Sequence, residues 1–240
     1  MIESIVNKFS GKAAIVTGAS SGIGRAIACM LCDNGIKVYG IGRDFSLCED
    51  VDGFEPVECD LLDTKNLIDT IEYISSRNDV RILVNCAGVA YYGLHENISV
   101  EHIQEMIKVN VEAPLVIVNS LMRGFKTKGN CYIIDVSSVT ASKPAPHGAA
   151  YGATKAALSS FSASIWEEAR KHGVYVTDIC PDMTDTNLYR NSDFGVDDDL
   201  EARIEPEDVA DLVASVISSR EGVCVASLKV MPRFNRIKRK

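Results

Sequence analysis

The chain has 240 residues, 46% of them hydrophobic, and a formal net charge of −8. This length can bury one sizeable core, the negative charge argues against general nucleic-acid affinity, and no apolar run approaches the ~20 residues of a membrane-spanning helix. Residues 1–10 include Glu3, Asn7 and Lys8 and lack an apolar core, so we expect no signal peptide, a cytoplasmic location and reduced thiols.

The first predicted strand, at 12–17, leads into a glycine-rich turn and then a helix-like segment at 23–34. This order is the context that a dinucleotide-binding loop requires. Gly18 permits the tight turn, Gly22 lets the backbone approach a pyrophosphate, and Gly24 lets the helix pack on the strand. The helix N-terminus then favours phosphate. The alternative is a purely structural turn, and this flanking leaves it little room.

Apolar runs and helix-like segments alternate along the whole chain. The apolar runs lie at 13–17, 36–41, 55–59, 81–86, 131–136, 174–180 and 223–230, and the helix-like segments at 23–34, 64–76, 99–125, 150–171 and 206–218. This alternation predicts an α/β fold over residues 1–240, a single domain built on a Rossmann-type doubly wound parallel sheet of about seven strands with helices on both faces. The segment at 43–54 is short, so we expect a crossover helix of only a turn or two there. Ligands bind past the carboxyl ends of such strands, so the strand-end loops should form one cleft.

Tyr151 and Lys155 stand four residues apart on the predicted helix at 150–171, and Ser138 precedes the tyrosine by thirteen residues. Residues four apart share a helix face, so the Lys155 ammonium can lie close to the phenol. A free tyrosine titrates near pH ~10, and bringing its pKa near ~7 needs about 4 kcal/mol of preferential stabilisation of the phenolate. A lysine cation in a partly dry cleft can supply it. The alternative is a surface pair of no consequence, because this spacing is common in helices.

Five motifs in order resemble the short-chain dehydrogenase/reductase family, in its compact single-domain branch: T-G-A-S-S-G-I-G at 17–24, N-C-A-G at 85–88, Asn110, Ser138 and Y-G-A-T-K at 151–155. The resemblance implies hydride transfer between a nicotinamide and a carbonyl or secondary alcohol. It makes Tyr151 the general acid/base and Lys155 the residue that lowers its pKa and holds the nicotinamide ribose. Ser138 would hold the substrate oxygen, and Asn110 would support a water-mediated proton path. A catalytically idle dinucleotide sensor or scaffold, and an epimerase or dehydratase, are the rival functions.

The resemblance also implies a set of cofactor contacts. These are Gly18, Ser20, Ser21, Gly22, Ile23, Gly24, Arg43, Asp60, Leu61, Asn85, Ala87, Gly88, Tyr151, Lys155, Pro181, Thr184 and Thr186. Arg43 follows the second strand, and a guanidinium suits the 2′-phosphate of NADP through paired, charge-assisted hydrogen bonds. We therefore favour NADP, while Asp44 keeps NAD open because a one-residue shift would place an acid at the 2′-position. Asp60 resembles the family residue that receives the adenine amino group.

The sequence motifs that indicate substrate contacts are weaker than those that indicate cofactor contacts. The stretch at 180–186 is similar to the family's P-G-x-V-x-T, with Asp182 in place of Gly and Thr184 in place of an aliphatic residue. The substitution at 182 puts an acid near the nicotinamide end. Substrate contacts are expected from Ser138, His147 and Tyr189, the last in a mobile lid at about 186–203. The ending S-L-K-V-M-P resembles NADP-linked reductases of small 3-hydroxy acids and miscellaneous carbonyls.

Three further expectations concern the assembly of the protein, its C-terminal tail and metal binding. The resemblance implies a homodimer or homotetramer through the helices near 100–125 and 151–171. The basic tail at 232–240 carries five cations. We expect it to be frayed and solubilising, and contact with an anionic surface is the alternative. No metal site is expected: the acidic run at 197–199 is typical of a solvated lid, and Cys29 with Cys32 is typical of buried small hydrophobes.

Overall fold

The computed structural model describes residues 2–240. Its strands are β1 (Ala13–Thr17), β2 (Lys37–Gly42), β3 (Phe54–Glu58), β4 (Val80–Asn85), β5 (Cys131–Val136), β6 (Val174–Pro181), β7 (Phe194–Val196), β8 (Ser227–Val230) and β9 (Ile237–Arg239). Its α-helices are α1 (Ile2–Phe9), α2 (Gly22–Asp33), α3 (Thr64–Arg77), α4 (Val100–Ile107), α5 (Ala113–Lys128), α6 (Ala149–Ala169) and α7 (Pro206–Ile217). Along this described stretch, no helix is long and apolar enough to cross a membrane.

The main sheet has seven parallel strands in the order β3-β2-β1-β4-β5-β6-β8, which confirms the predicted Rossmann-type doubly wound fold. Alternating residues of β1 show how both faces are buried. Ala14 and Val16 pack with α1, α2 and α7, whereas Ala13 and Ile15 pack with α3 and α5. The strand order reverses between β1 and β4, which places a crevice at the carboxyl ends of these two strands.

Two of the predicted helical segments differ in detail from the structure. The segment between β2 and β3 contains no helix and makes two hydrogen-bonded turns, in which Cys48 N donates to Phe45 O and Phe54 N donates to Val51 O. The predicted helix at 99–125 is divided by a π-turn, Lys108–Glu112, which separates α4 from α5. Such a turn inserts one extra residue into the helical ladder and often marks a functional position. Here it carries Asn110.

The C-terminal tail differs most from expectation, because it is ordered by contacts with the lid. Strand β9 pairs antiparallel with β7, which lies within the lid (residues 186–203). Three ion pairs join the two segments, Lys238–Asp198 at 2.6 Å, Arg236–Asp199 at 2.6 Å and Arg233–Glu201 at 2.9 Å. The prediction of a frayed tail was therefore wrong: the basic end meets the acidic run of the lid, and strand pairing satisfies its backbone. We call residues 233–240 the strap.

Candidate active site

A cleft of about 710 Å³ opens at the carboxyl ends of the parallel strands. The hydroxyl of Thr17, at the end of β1, accepts hydrogen bonds from the backbone N–H groups of Cys86 and Ala87, both at 3.1 Å. This contact ties the glycine turn to the loop after β4. The predicted residues that line the cleft are Gly18, Ser20, Ser21, Gly22, Ile23, Gly24, Arg43, Asp60, Leu61, Ala87, Gly88, Ser138, His147, Tyr151, Lys155, Pro181, Thr184, Thr186 and Tyr189.

The glycine turn forms a tight cradle at one end of the cleft. Gly22 has φ +54°, and a Cβ atom there would lie 2.9 Å from Thr186 Cγ2. A Cβ at Gly24 would lie 2.3 Å from the backbone oxygen of Gly18, so α2 can approach β1 only with glycine at this position. Ser21 precedes α2 without a side-chain hydrogen bond to the helix. The first N–H groups of α2 are therefore available to an anion.

The two charged residues that follow β2, Arg43 and Asp44, differ in their position relative to the cleft. Arg43 is exposed and lines the cleft. The Asp44 carboxylate instead accepts a hydrogen bond from Ser46 N at 2.8 Å, and this contact lowers the pKa of Asp44. Asp44 does not line the cleft. After β3, Asp60 lines the cleft, and its Oδ1 accepts a hydrogen bond from Leu62 N at 3.0 Å.

Tyr151, Lys155 and Ser138 come together in the middle of the cleft, and all three are buried. Tyr151 and Lys155 lie one turn apart on α6, and Ser138 follows β5. Lys155 Nζ donates a hydrogen bond to the backbone oxygen of Val136 at 2.8 Å and lies 5.8 Å from the centroid of the Tyr151 ring. Sequence spacing thus places the lysine beside the tyrosine ring, while its hydrogen bond goes to the end of β5.

The electrostatics of Tyr151 differ from the expectation of a lowered pKa. Burial, followed by the nearby Tyr189, raises the pKa of Tyr151, and the Ser138 hydroxyl acts in the opposite direction. Burial also lowers the pKa of Lys155, although Cys86, Asp178 and Asp135 act against that shift. Lys155 makes no direct hydrogen bond to the phenol in this arrangement, because its ammonium donates to the Val136 carbonyl oxygen.

Asn110 and Asn85 lie beneath the cleft and do not line it. Asn110 is buried in the π-turn, where its side chain accepts from Val89 N at 2.9 Å and donates to Val89 O at 2.9 Å. Asn85 donates from its amide to Asp135 Oδ1 at 2.7 Å. Both asparagines therefore fix the backbone and strands around the cleft. Their predicted roles in proton transfer and cofactor contact stay predictions.

The substrate end of the cleft has an aromatic wall, which we define as Tyr151, Tyr92, Tyr189 and Phe194. Tyr92 lies 5.8 Å from Tyr151 between ring centroids, stacks with Tyr189 at 6.1 Å and meets Phe194 edge-on at 5.0 Å. Tyr189 and Phe194, which also pack against each other at 5.7 Å, are thus joined to Tyr151 through Tyr92. Burial raises the pKa of Tyr189 to about 12. His147 lines the cleft with φ +63° and an exposed side chain.

A family model described as short chain dehydrogenase matches residues 12–195. The chain belongs to the short-chain dehydrogenase/reductase family. An uncharacterized oxidoreductase of Staphylococcus haemolyticus (strain JCSC1435) is 30% identical to this short-chain dehydrogenase/reductase over an alignment of 241 residues, gaps included. The alignment covers 95% of this chain and 100% of that protein. The predicted family and the oxidoreductase class are therefore confirmed.

Solved structures of the family share the fold of this short-chain dehydrogenase/reductase. A metagenomic short-chain oxidoreductase in complex with NADP is 28% identical, with a TM-score of 0.78, and the match covers 94% of this chain and 99% of that one. The 3-ketoacyl-(acyl-carrier-protein) reductase of Brucella melitensis, complexed with NADH, is 28% identical with a TM-score of 0.79. That match covers 92% of this chain and 96% of the Brucella protein.

Several cleft residues of this short-chain dehydrogenase/reductase were not predicted from sequence. The strap contributes Asn235, Ile237 and Arg239, all beyond the matched residues 12–195. Asp182 also lines the cleft, and its buried Oδ2 has no hydrogen-bond partner. The departure from the family's Gly at 182 was visible in the sequence, but the isolation of that oxygen was not. Nothing local in the strap sequence indicates that it reaches the cleft. Within residues 2–240 we find no cluster of side chains that could hold a metal ion.

Proposed function

We propose that this protein is an NADP(H)-dependent oxidoreductase that interconverts a carbonyl compound and a secondary alcohol, with Tyr151 as the general acid/base. The observation that carries the proposal is the convergence of Tyr151, Ser138 and Lys155 beside the glycine cradle in one cleft. These groups match the reaction class by chemistry and position: a proton donor, a hydroxyl that can hold an oxygen, and a cation.

The residues of the cleft fit a nicotinamide dinucleotide. The cradle around Gly22 and the available N–H groups of α2 suit a pyrophosphate. Asp60 would accept from the adenine amino group, and Lys155 and Thr186 would hold the nicotinamide half. When bound, the cofactor supplies a hydride or accepts one. Asp182 also lines the cleft, and its Oδ2 is buried without a hydrogen-bond partner among the described residues.

In reduction, Ser138 would hold the substrate oxygen and Tyr151 would donate its phenolic proton to it. Burial raises the pKa of Tyr151, so the phenol is protonated at neutral pH, which is the form that donation requires. Alcohol oxidation would run the same proton transfer backwards and would need a more alkaline solution or a stronger cationic influence from Lys155. Asn110 would hold the Val89 backbone, and through it the loop after β4, in place.

Arg43 supports NADP over NAD. Its guanidinium is exposed at the cleft and makes no ion pair with a described residue, so it is available to a 2′-phosphate. The rival carboxylate, Asp44, is bound to Ser46 N within its own turn. A carboxylate in that position has less freedom to accept from a ribose 2′-hydroxyl.

We also propose a cytoplasmic, single-domain enzyme that assembles as a homodimer or homotetramer through α4, α5 and α6. Eight free cysteines fit a reducing compartment. On α6, small side chains recur on the exposed face, at Ala149, Ala153, Ala157, Ser160 and Ser164. Small residues at helical spacing allow two helices to approach closely, which suits a four-helix contact between copies.

The proposal is tested by mixing the wild-type protein with NADPH and a panel of aldehydes and ketones. We expect carbonyl-dependent oxidation of NADPH, followed by formation of the matching alcohol. Tight NADPH binding without turnover of any carbonyl or alcohol would contradict the proposal and would favour a dinucleotide sensor on the same fold.

A further inference from the structure

We propose that the strap forms part of the substrate pocket and that Arg239 binds a negatively charged group, a carboxylate or phosphate, on the carbonyl substrate. This inference rests on the proposed function and narrows it to anionic substrates. The residues involved lie at 233–240, outside the region that the family model matches. They reach the cleft only because β9 pairs with the lid.

The pairing of β7 with β9 determines which strap side chains face the cleft. Phe194 pairs with Arg239, and Val196 pairs with Ile237. Paired residues of an antiparallel ladder project to the same face, and successive residues alternate between faces. Phe194, Ile237 and Arg239 therefore share a face, and all three line the cleft. Lys238 projects to the opposite face, where it pairs with Asp198.

Contacts of the aromatic wall connect Arg239 to the proposed chemistry. Arg239 stands opposite Phe194 in the ladder. The Phe194 ring packs edge-on against Tyr92 at 5.0 Å, and Tyr92 lies 5.8 Å from Tyr151. Arg239 is thus placed at the outer end of the wall whose inner end is the proton donor. A substrate that reaches Tyr151 along this wall would present its far end to the strap.

The charge of Arg239 is unpaired, unlike that of the other strap cations. The remaining four are engaged by Glu201, Asp199, Asp198 and the backbone oxygen of Tyr189, at 2.9, 2.6, 2.6 and 2.6 Å. Arg239 makes no ion pair or hydrogen bond through its side chain with any described residue, although Asp193 lines the same cleft. A planar guanidinium can bind a carboxylate or phosphate through two parallel hydrogen bonds.

The backbone of the strap holds Arg239 in place beside the lid. Lys240 N donates to Asp193 O at 2.8 Å, and Phe234 N donates to Glu201 O at 2.9 Å. Together with the ion pairs, these bonds make the strap and the lid one unit on the substrate side. The lid cation Arg190 also lines the cleft, and its guanidinium donates to the backbone oxygen of Asn187 at 3.4 Å. Neither Arg190 nor Arg239 is neutralised by a described carboxylate, and two such guanidinium groups at this edge favour an anion over a neutral substrate.

The test compares Arg239→Gln with Lys238→Gln, which removes the same charge from the opposite face of the same strand. Each variant and the wild type are assayed with NADPH and two matched ketones, 4-acetylbenzoate and its uncharged methyl ester. We expect Arg239→Gln to lower kcat/KM for the acid by roughly five- to tenfold and to leave the ester within about twofold, because a solvent-facing charge-assisted contact is lost. Lys238→Gln should leave the ratio between acid and ester unchanged.

Other outcomes would overturn the inference. An equal loss for acid and ester in Arg239→Gln would mean that Arg239 only stabilises the strap, and weaker NADPH binding in that variant would make it a cofactor contact. The proposed function fails separately, if the wild type turns over no carbonyl or alcohol of the wider panel. In that case, or if neither matched ketone is reduced, calorimetric binding of 4-(1-hydroxyethyl)benzoate to the NADP-loaded protein still decides: weaker binding to Arg239→Gln supports the inference, and equal binding overturns it.

Discussion

The ammonium of Lys155 donates a hydrogen bond to the backbone oxygen of Val136 at 2.8 Å, and so the cation beside Tyr151 is held by the last residue of β5. The contact fixes the position of the lysine below the tyrosine ring. It also means that the lysine acts on the phenol through space and not through a direct hydrogen bond. Its influence on the Tyr151 pKa should therefore depend on what else enters the cleft.

Changing Lys155 to Met keeps the length of the side chain and removes its charge. The pKa of Tyr151 should then rise further, so the pH optimum of alcohol oxidation should move upward and NADPH should bind more weakly. The measurement is the pH–rate profile with saturating cofactor. Lys143→Met is the matched control, because Lys143 also lines the cleft but is exposed. A pH–rate profile in Lys155→Met identical to that of the wild type would remove Lys155 as the residue that sets the tyrosine's pKa.

Changing Arg43 to Ala should weaken NADPH binding by roughly ten- to hundredfold and leave NADH within a factor of a few, since a bidentate charge-assisted contact is lost. The control is Asp44→Asn, which should change neither affinity much, because that carboxylate is bound to Ser46 N. Both dissociation constants can be measured by fluorescence titration. Wild-type protein that binds NADH more tightly than NADPH would place Asp44, and not Arg43, at the 2′-position.

Asp135 should make the fold lose stability as the solution becomes less acidic. Burial raises its pKa from 3.8 to about 6, while Ser162 and Asn85 act in the opposite direction. The folded state therefore binds a proton between about pH 4 and 6 that the unfolded state releases, and the free energy of unfolding falls across this window by on the order of 3 kcal/mol from this group. Asp135→Asn cannot titrate. The difference in Tm between variant and wild type should grow in favour of the variant from pH 4 to 6, and a constant difference would contradict the assignment.

The ion pairs between strap and lid should control access to the tail more than global stability. Neutralising Asp198, Asp199 and Glu201 together removes three solvent-exposed ion pairs, which contribute little to global stability because solvent screens them. Trypsin should cleave the strap roughly fivefold faster or more in this variant, since local opening becomes easier. Asp69→Asn, which breaks an exposed Lys65–Asp69 pair on α3, is the control. Equal cleavage rates in all three proteins would show that strand pairing alone holds the strap.

The core of the fold and site could be predicted because its signals are local. The glycine turn before α2 and the one-turn spacing of Tyr151 and Lys155 depend on residues close in the chain, so their periodicity is visible in the sequence. Helix α1 was not predicted, because an eight-residue segment gives little periodicity, although its buried residues Ile5 and Phe9 are one turn apart.

The features that could not be predicted, the π-turn and the strap, depend on contacts between distant parts of the chain. The π-turn follows from hydrogen bonds of the buried Asn110 to Val89 and Thr154, which no local pattern encodes. The strap forms a strand of only three residues, and its partner lies in the lid. Complementary charge between the two segments was present in the sequence, but their proximity follows only from the path of the chain.

The central claim, that Tyr151 is the general acid/base, is tested most directly by Tyr151→Phe. The ring and its contact with Tyr92 are kept, while the proton donor is removed. We predict a fall in kcat of several orders of magnitude with the NADPH dissociation constant near its wild-type value. Tyr39→Phe is the control, because its hydroxyl donates to Asn78 away from the cleft. If Tyr151→Phe kept more than about a tenth of the wild-type rate on a good substrate, the assignment of Tyr151 would be wrong.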